Sequence, residues 1–192
     1  MIRSVLCSAA IAIAGTATAD TTPSDVIGTW QTPLAEQPSP DGSESGWLQA
    51  TVIFTQNRES LQLRAFADQD QTIPLFTYFS EGPYSPATGP TTVPGAVALD
   101  LQNDLSEVTL HQEVPGIVAA LNLQDCPLVV GQAVEISDCV GGPPFNVGDC
   151  VDMDVVMIDE GGNRLRFGRE DFDRCVTRPT ALSERGFFKV AE

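Results

Sequence analysis

Alternation with a period of two runs through most of this chain, and no other feature restricts its fold as tightly. Ala50, Val52 and Phe54 alternate with Thr51, Ile53 and Thr55, and Leu61, Leu63, Ala65 and Ala67 alternate with Gln62 and Arg64. Successive side chains of a strand point to opposite faces, so these runs read as half-buried strands, and no stripe at 3.6-residue spacing competes with them. Residues 56–60, QNRES, read as the turn between the two. TIPLFTYFSEG, at 72–82, reads as a third strand ending at Gly82-Pro83. PYSPATGPTTVPG follows, and its four prolines and two glycines predict a long loop. Alternation resumes at Val97, Leu99 and Leu101 and again at Val108, Leu110 and Gln112, with QNDLS turning between them. DVVMIDEGGNRLRFG predicts a hairpin, because Gly161, Gly162 and Asn163 tolerate the positive φ of a tight turn. GFFKVAE supplies the last strand. Eight to ten short strands at this spacing predict an all-β domain, an antiparallel barrel or half-barrel, since closure removes exposed sheet edges.

The 192 residues suit one such domain preceded by a leader. Arg3, the apolar run Val5 to Ala14 and the small-residue signal Ala17-Thr18-Ala19 read as a secretory signal peptide over 1–19, leaving 20–192 as the domain. The apolar run is about half the ~20 residues of a membrane span, so no transmembrane segment is expected. Cys7 leaves with the leader. The other cysteines, Cys126, Cys139, Cys150 and Cys175, are even in number in a chain read as exported to the periplasm or beyond, which predicts two disulfides. Four cysteines allow three pairings; the preferred one joins neighbours in sequence, Cys126 with Cys139 and Cys150 with Cys175. Each such loop contributes about 3 kcal/mol by restricting the unfolded chain. Zinc does not suit these spacings, which lack C-x₂-C in a chain with one histidine.

The net charge of −16 argues against a nucleic-acid partner. Arg164, Arg166, Arg169, Arg174, Arg178, Arg185 and Lys189 all lie near the C-terminus, where pairing with the acidic body is preferred over an anion site. Catalytic signals are sparse. His111, in LHQE with Glu107 and Glu113 nearby, has no G-x-S-x-G elbow to serve, so no enzyme, no catalytic residue and no cofactor are expected. Asp152 with Asp154, and Glu170 with Asp171 and Asp173, lack the EF-hand spacing and read as solvated faces, with no metal site.

Several short motifs occur together in one order: IPLFTYFSEGPYSPATGPTTVPGAVALDL at 73–101, LRFGRED at 165–171 and RPTAL at 178–182, after an opening Gly28-Thr29-Trp30. In this order they resemble the adenomatosis polyposis coli down-regulated domain family, including its secreted bacterial members, from about Gly28 to Leu182. The resemblance implies a barrel-like domain whose apolar cavity holds lipid. Two departures stand out: Gln31-Thr32-Pro33 where the family often shows Cys-Glu, and Asp70-Gln71-Thr72 where a second cysteine usually precedes the PLF strand. Both halves of one disulfide are thus missing together, and the signal inhibition carried out by animal members is not transferred. The triplet Gly28-Thr29-Trp30 also has the form that opens the first strand of lipocalins, and a lipocalin-like shape is expected, with Trp30 a plug at the closed end.

A barrel of about eight strands has an interior that side chains fill, or that holds one small ligand where inward residues are small. Ala50, Ala65, Ala67, Ala96, Ala98, Ala119 and Ala120 are candidate small positions. The function expected is non-enzymatic binding of a hydrophobic small molecule, a fatty acyl chain or lipid, against Phe54, Leu63, Phe76, Tyr78, Leu99, Leu110, Val155 and Phe167. Tyr78 or Arg166 would meet a carboxylate at the mouth. The alternatives are a structural or protein-binding envelope module with a filled core, and a hydrolase built on His111. Everything here depends on register, because a one-residue slip exchanges inside for outside.

Overall fold

The computed structural model describes residues 20–38, 45–88, 91–140, 150–169 and 173–191, so the leader read at 1–19 and the pair Glu170 and Asp171 lie outside the described residues. In chain order the elements are β1 (Gly28–Gln31), β2 (Ala35–Pro38), β3 (Ser45–Phe54), β4 (Arg58–Phe66), β5 (Pro74–Pro86), β6 (Val97–Leu101), β7 (Leu105–Leu110), α1 (Pro115–Ala120), β8 (Ala133–Glu135), β9 (Asp152–Asp159), β10 (Arg164–Phe167) and β11 (Phe187–Lys189). Antiparallel pairing runs β3-β1-β11-β10-β9-β6-β5-β4 and returns to β3, which closes an eight-stranded barrel. No edge is left on that ring.

Two strands of the ring are shared with a second, open sheet. β3 pairs with β1 through Thr51–Phe54 and with β2 through Ser45–Leu48. Likewise β5 pairs with β6 through Tyr84–Pro86 and with β7 through Phe76–Glu81, and β7 pairs on with β8. The lower end of the molecule, marked by Gly28 and Phe54, is therefore a closed barrel. Its upper end is the open sheet β2-β3-β4-β5-β7-β8. The changeover on β5 falls at Gly82, where the β6–β7 turn crosses: Gln102 donates its backbone N–H to the Pro83 carbonyl and Asp104 to that of Glu81. A Cβ at position 82 would collide with the Gln102 carbonyl, so this crossing requires glycine.

This crossing corrects one boundary. Gly82-Pro83 does not end the third strand, which continues to Pro86, because the ladder merely changes partner there. The predicted turn at 56–60 is also shorter, since Arg58, Glu59 and Ser60 already pair with β5. The β9–β10 hairpin forms as expected, turning through Gly161 and Gly162 at φ of 70° and 94°.

Segment 114–140 lies over the open sheet. It begins with α1, whose six residues are too few to show as a stripe in the sequence and which starts on Pro115, where a missing N–H costs no hydrogen bond. Ala119 and Ala120, expected at small inward positions, sit exposed on this helix. Leu123 and Ile136 are buried against Phe76, Tyr78, Val108 and Leu110, and the Cys126–Cys139 disulfide ties the segment together. Cys150 joins Cys175, so both bridges link sequence neighbours.

The closed end is packed solid. Trp30, Val26, Val52, Phe54, Leu99, Val156 and Leu165 form one cluster, each at most 1% exposed. The Trp30 indole N–H donates to the Val26 carbonyl at 2.7 Å, and the Lys189 ammonium lies 5.4 Å from the ring centre. Phe54 meets Tyr84 edge to face at 5.2 Å. Trp30 is thus the plug expected of it.

Candidate functional site

Above this plug the barrel holds a cavity of about 1,110 Å³. Its apolar wall comes from Ala50, Val52, Leu61, Leu63, Phe76 and Phe167, with Leu48 of β3 and Leu121 from the end of α1 at the top. It lies where the closed ring gives way to the open sheet, and exposed Pro33, Ala35, Glu184 and Arg185 stand at its rim. Phe167 is at the boundary. Its ring stacks on Phe54 at 6.2 Å and meets Phe187 at 5.4 Å, so the filled half forms the floor of the hollow half.

Of the residues assigned to the ligand from sequence, Leu63, Phe76, Tyr78 and Phe167 line this cavity. Phe54 and Leu99 share the inward face but are packed in the plug. Leu110 is on β7, outside the ring, under segment 114–140. Val155 needs a correction. It pairs with Ala98 on the outward face and is buried there against Val93 and Ala96, while Asp154 takes the inward position. A loop covers the outside of β9, so apolar Val155 and Met157 face outward while Asp152 and Asp154 face inward, which inverts the expected phase. Ala96 and Ala98 go outward with Val155, Ala67 is exposed, and only Ala50 of the small positions lines the cavity. Arg166 is corrected too: it pairs with Asp159 at 2.7 Å on the outward side, opposite Met157, so it does not face the mouth. Tyr78 is buried, its hydroxyl 3.4 Å from the Ser106 hydroxyl.

The larger departure is polar. Asp152 and Asp154 are not a solvated face but point into the barrel, with Asp154 wholly buried. One Asp154 oxygen accepts from the Val155 and Gly168 N–H groups at 2.7 and 2.8 Å, and the other accepts from Arg174 at 2.7 Å. A Cβ at Gly168 would strike both Pro179 and this carboxylate, so glycine permits the contact. Burial pushes the Asp154 carboxyl up to about 6 against the pull of Arg174, and the charge of Asp152 adds to the rise. Arg174 also lies 3.7 Å from Asp152. Arg178 donates to the Leu99 and Asp154 carbonyls and to the Asp100 carboxylate, pinning the C-terminal segment to the barrel wall. Of the C-terminal basic residues, Arg166, Arg174 and Arg178 thus pair with acidic groups of the chain.

Glu59 carries the third inward carboxyl. It is 9% exposed, faces the cavity and has no hydrogen bond or ion pair among the described residues. Burial, then the charges of Asp152 and Asp154, push it up to about 8. Sequence reading placed Glu59 in a turn. The missed signal is the phase of Leu61 and Leu63, which extends back to Glu59 on the same face.

His111 is exposed, and its Nε2 lies 2.9 Å from the Thr77 hydroxyl; no carboxylate holds the ring among the described residues. Among those residues no three histidine, cysteine or acidic side chains stand together as a metal site, and no helix is long and apolar enough to cross a membrane. No protein-family model matches this chain, and no curated protein matches it either.

Proposed function

We propose that this barrel is a non-enzymatic carrier or receptor for a hydrophobic small molecule, such as an acyl chain or other lipid, held in the cavity above the Trp30 plug. One observation carries the reading: a half-open cavity of about 1,110 Å³, walled by Leu61, Leu63, Phe76 and Phe167, lies within a barrel whose other half buries Trp30, Phe54, Leu99 and Leu165 together. Pockets for small organic ligands span about 300–1,000 Å³ and combine an apolar wall with a few polar groups, as this one does. About ten buried methylenes at ~0.8 kcal/mol each yield roughly 8 kcal/mol before the cost of association, so the expected affinity is micromolar or weaker. The reading agrees with the resemblance to the adenomatosis polyposis coli down-regulated domain family, whose members hold lipid. Two disulfides suit an oxidising compartment, which supports the exported location.

Gently purified protein is expected to carry organic-extractable lipid visible by mass spectrometry, and Leu63→Trp to lose it while remaining folded. Protein free of lipid that binds no neutral apolar dye, such as N-phenyl-1-naphthylamine, would leave the structural or protein-binding module instead.

A further inference from the structure

The wall of the cavity is unevenly charged. Among the described residues its lining carries Glu59 on β4, Asp152 and Asp154 on β9 and the exposed Asp173 and Glu184, against three arginines: Arg174 from the segment after β10, Arg164, which donates to the Glu184 carbonyl, and the exposed Arg185. Arg174 is committed to Asp154 at 2.7 Å and to Asp152 at 3.7 Å. The Tyr78 hydroxyl, the titratable group facing Glu59 from β5, brings no positive charge. β3 contributes Phe54 opposite Glu59, and β5 contributes Gly82, neither of which hydrogen bonds through a side chain. Glu59 is therefore a buried acid aimed at open space, with no partner among the described residues. A buried polar group without a partner is costly, and water or a ligand group must satisfy it.

We propose that the ligand is a cationic amphiphile whose protonated amine enters first and pairs with Glu59, while its apolar body lies along Leu61, Leu63 and Phe76. This rests on the reading of the cavity as a ligand site and names the ligand's class. Excess negative charge on the wall repels a fatty-acid carboxylate and attracts an ammonium. Polarity is also sorted by depth: Glu59, Asp152 and Asp154 lie on the stretch of the wall shared with the closed ring, and Leu48, Leu63, Phe76 and Leu121 lie above them. Pairing requires ionised Glu59. In the empty protein burial holds its proton up to about 8, so amine binding expels that proton and strengthens as pH rises toward 8.

Decylamine, decanol and decanoate, which share one chain length, test this by displacement of N-phenyl-1-naphthylamine from the full domain. The wild type is expected to bind decylamine at least about tenfold more tightly than decanol at pH 8, with decanoate weakest. The amine preference should fall by up to about tenfold for each pH unit below 8, decanol being unaffected. Glu59→Gln, with its own dye affinity measured as the reference, is expected to bring amine and alcohol within about threefold; should that variant not fold, the wild-type pH profile decides the same point. Dye bound but decylamine no tighter than decanol, or an amine affinity independent of pH, overturns the amine assignment and leaves the apolar site standing. Dye not bound by folded protein overturns both.

Discussion

Strands β3, β4 and β5 serve both ends of the molecule, and the side chains they direct inward differ between the two. At the closed end Phe54 and Tyr84 meet Trp30, Leu99 and Leu165 without a gap. Higher on the same strands the inward positions are Ala50, Val52, Leu61, Leu63 and Ser80 together with Phe76 and Tyr78, and a cavity opens. The ladder changes partner over the same stretch, β5 from β6 to β7 and β3 from β1 to β2, so the opening of the ring and the inward side chains together decide where this barrel is full and where it is hollow. Polarity divides the same way. The plug satisfies its buried indole within the chain, whereas the hollow half turns the carboxyls of Glu59, Asp152 and Asp154 inward and commits Arg174 to the two aspartates.

Removing a large side chain should therefore cost far more below than above. Trp30→Ala is expected to destabilise by about 4 kcal/mol, because the fully buried indole leaves a void that closed strands cannot collapse into. Leu63→Ala, whose side chain already borders open space, should cost about 1 kcal/mol or less. Equilibrium denaturation of the two variants checks the ratio, and equal losses would break the distinction between the halves.

Next in size is the pair that ties the C-terminal segment to the hollow half. Arg174→Leu strands a wholly buried Asp154 with backbone donors alone, at an expected cost of about 3 kcal/mol at pH 8. That cost should shrink below pH 6 as Asp154 takes up a proton. A loss unchanged between pH 5 and pH 8 would show that Arg174 acts through packing.

An effect of similar size follows from Glu59. Its carboxyl is raised from 4.5 to about 8 in the folded state, so its protonated form is the stabilised one. The stability it contributes is complete below about pH 4.5 and is lost as pH rises toward 8. Glu59→Gln cannot ionise, and its stability relative to wild type should grow by roughly 3 kcal/mol between pH 5 and pH 8 in urea titrations without ligand. A constant difference would mean that Glu59 is reached by water throughout.

Much of the filled half was legible in the sequence because its signals are local. Gly161-Gly162 demands a hairpin, the four cysteines pair with their neighbours, and Gly28-Thr29-Trp30 starts the ring where a large aromatic must be buried. What was not legible depends on partners distant in sequence. Pro83 reads as a strand end, yet the ladder passes through it because the β6–β7 turn crosses at Gly82. Val155 and Asp154 exchange roles because residues 91–96 cover the outside of β9. Carboxylates read by default as solvated; Asp154 is buried only because Arg174 and the Gly168 N–H, 20 and 14 residues away, reach it. Leu63, Phe76, Tyr78 and Phe167 were found by alternation, and Glu59 was missed because alternation was stopped one residue pair too soon.

The most direct test inserts the same bulky side chain into each half and measures stability together with dye binding. Leu63→Trp is expected to stay within about 1 kcal/mol of wild type and to abolish binding of N-phenyl-1-naphthylamine, since the indole fills existing space. Leu99→Trp should lose about 3 kcal/mol, because nothing in the plug can yield. A Leu63→Trp protein destabilised as severely as Leu99→Trp, or one that still binds the dye at wild-type affinity, would contradict a hollow, ligand-holding upper half.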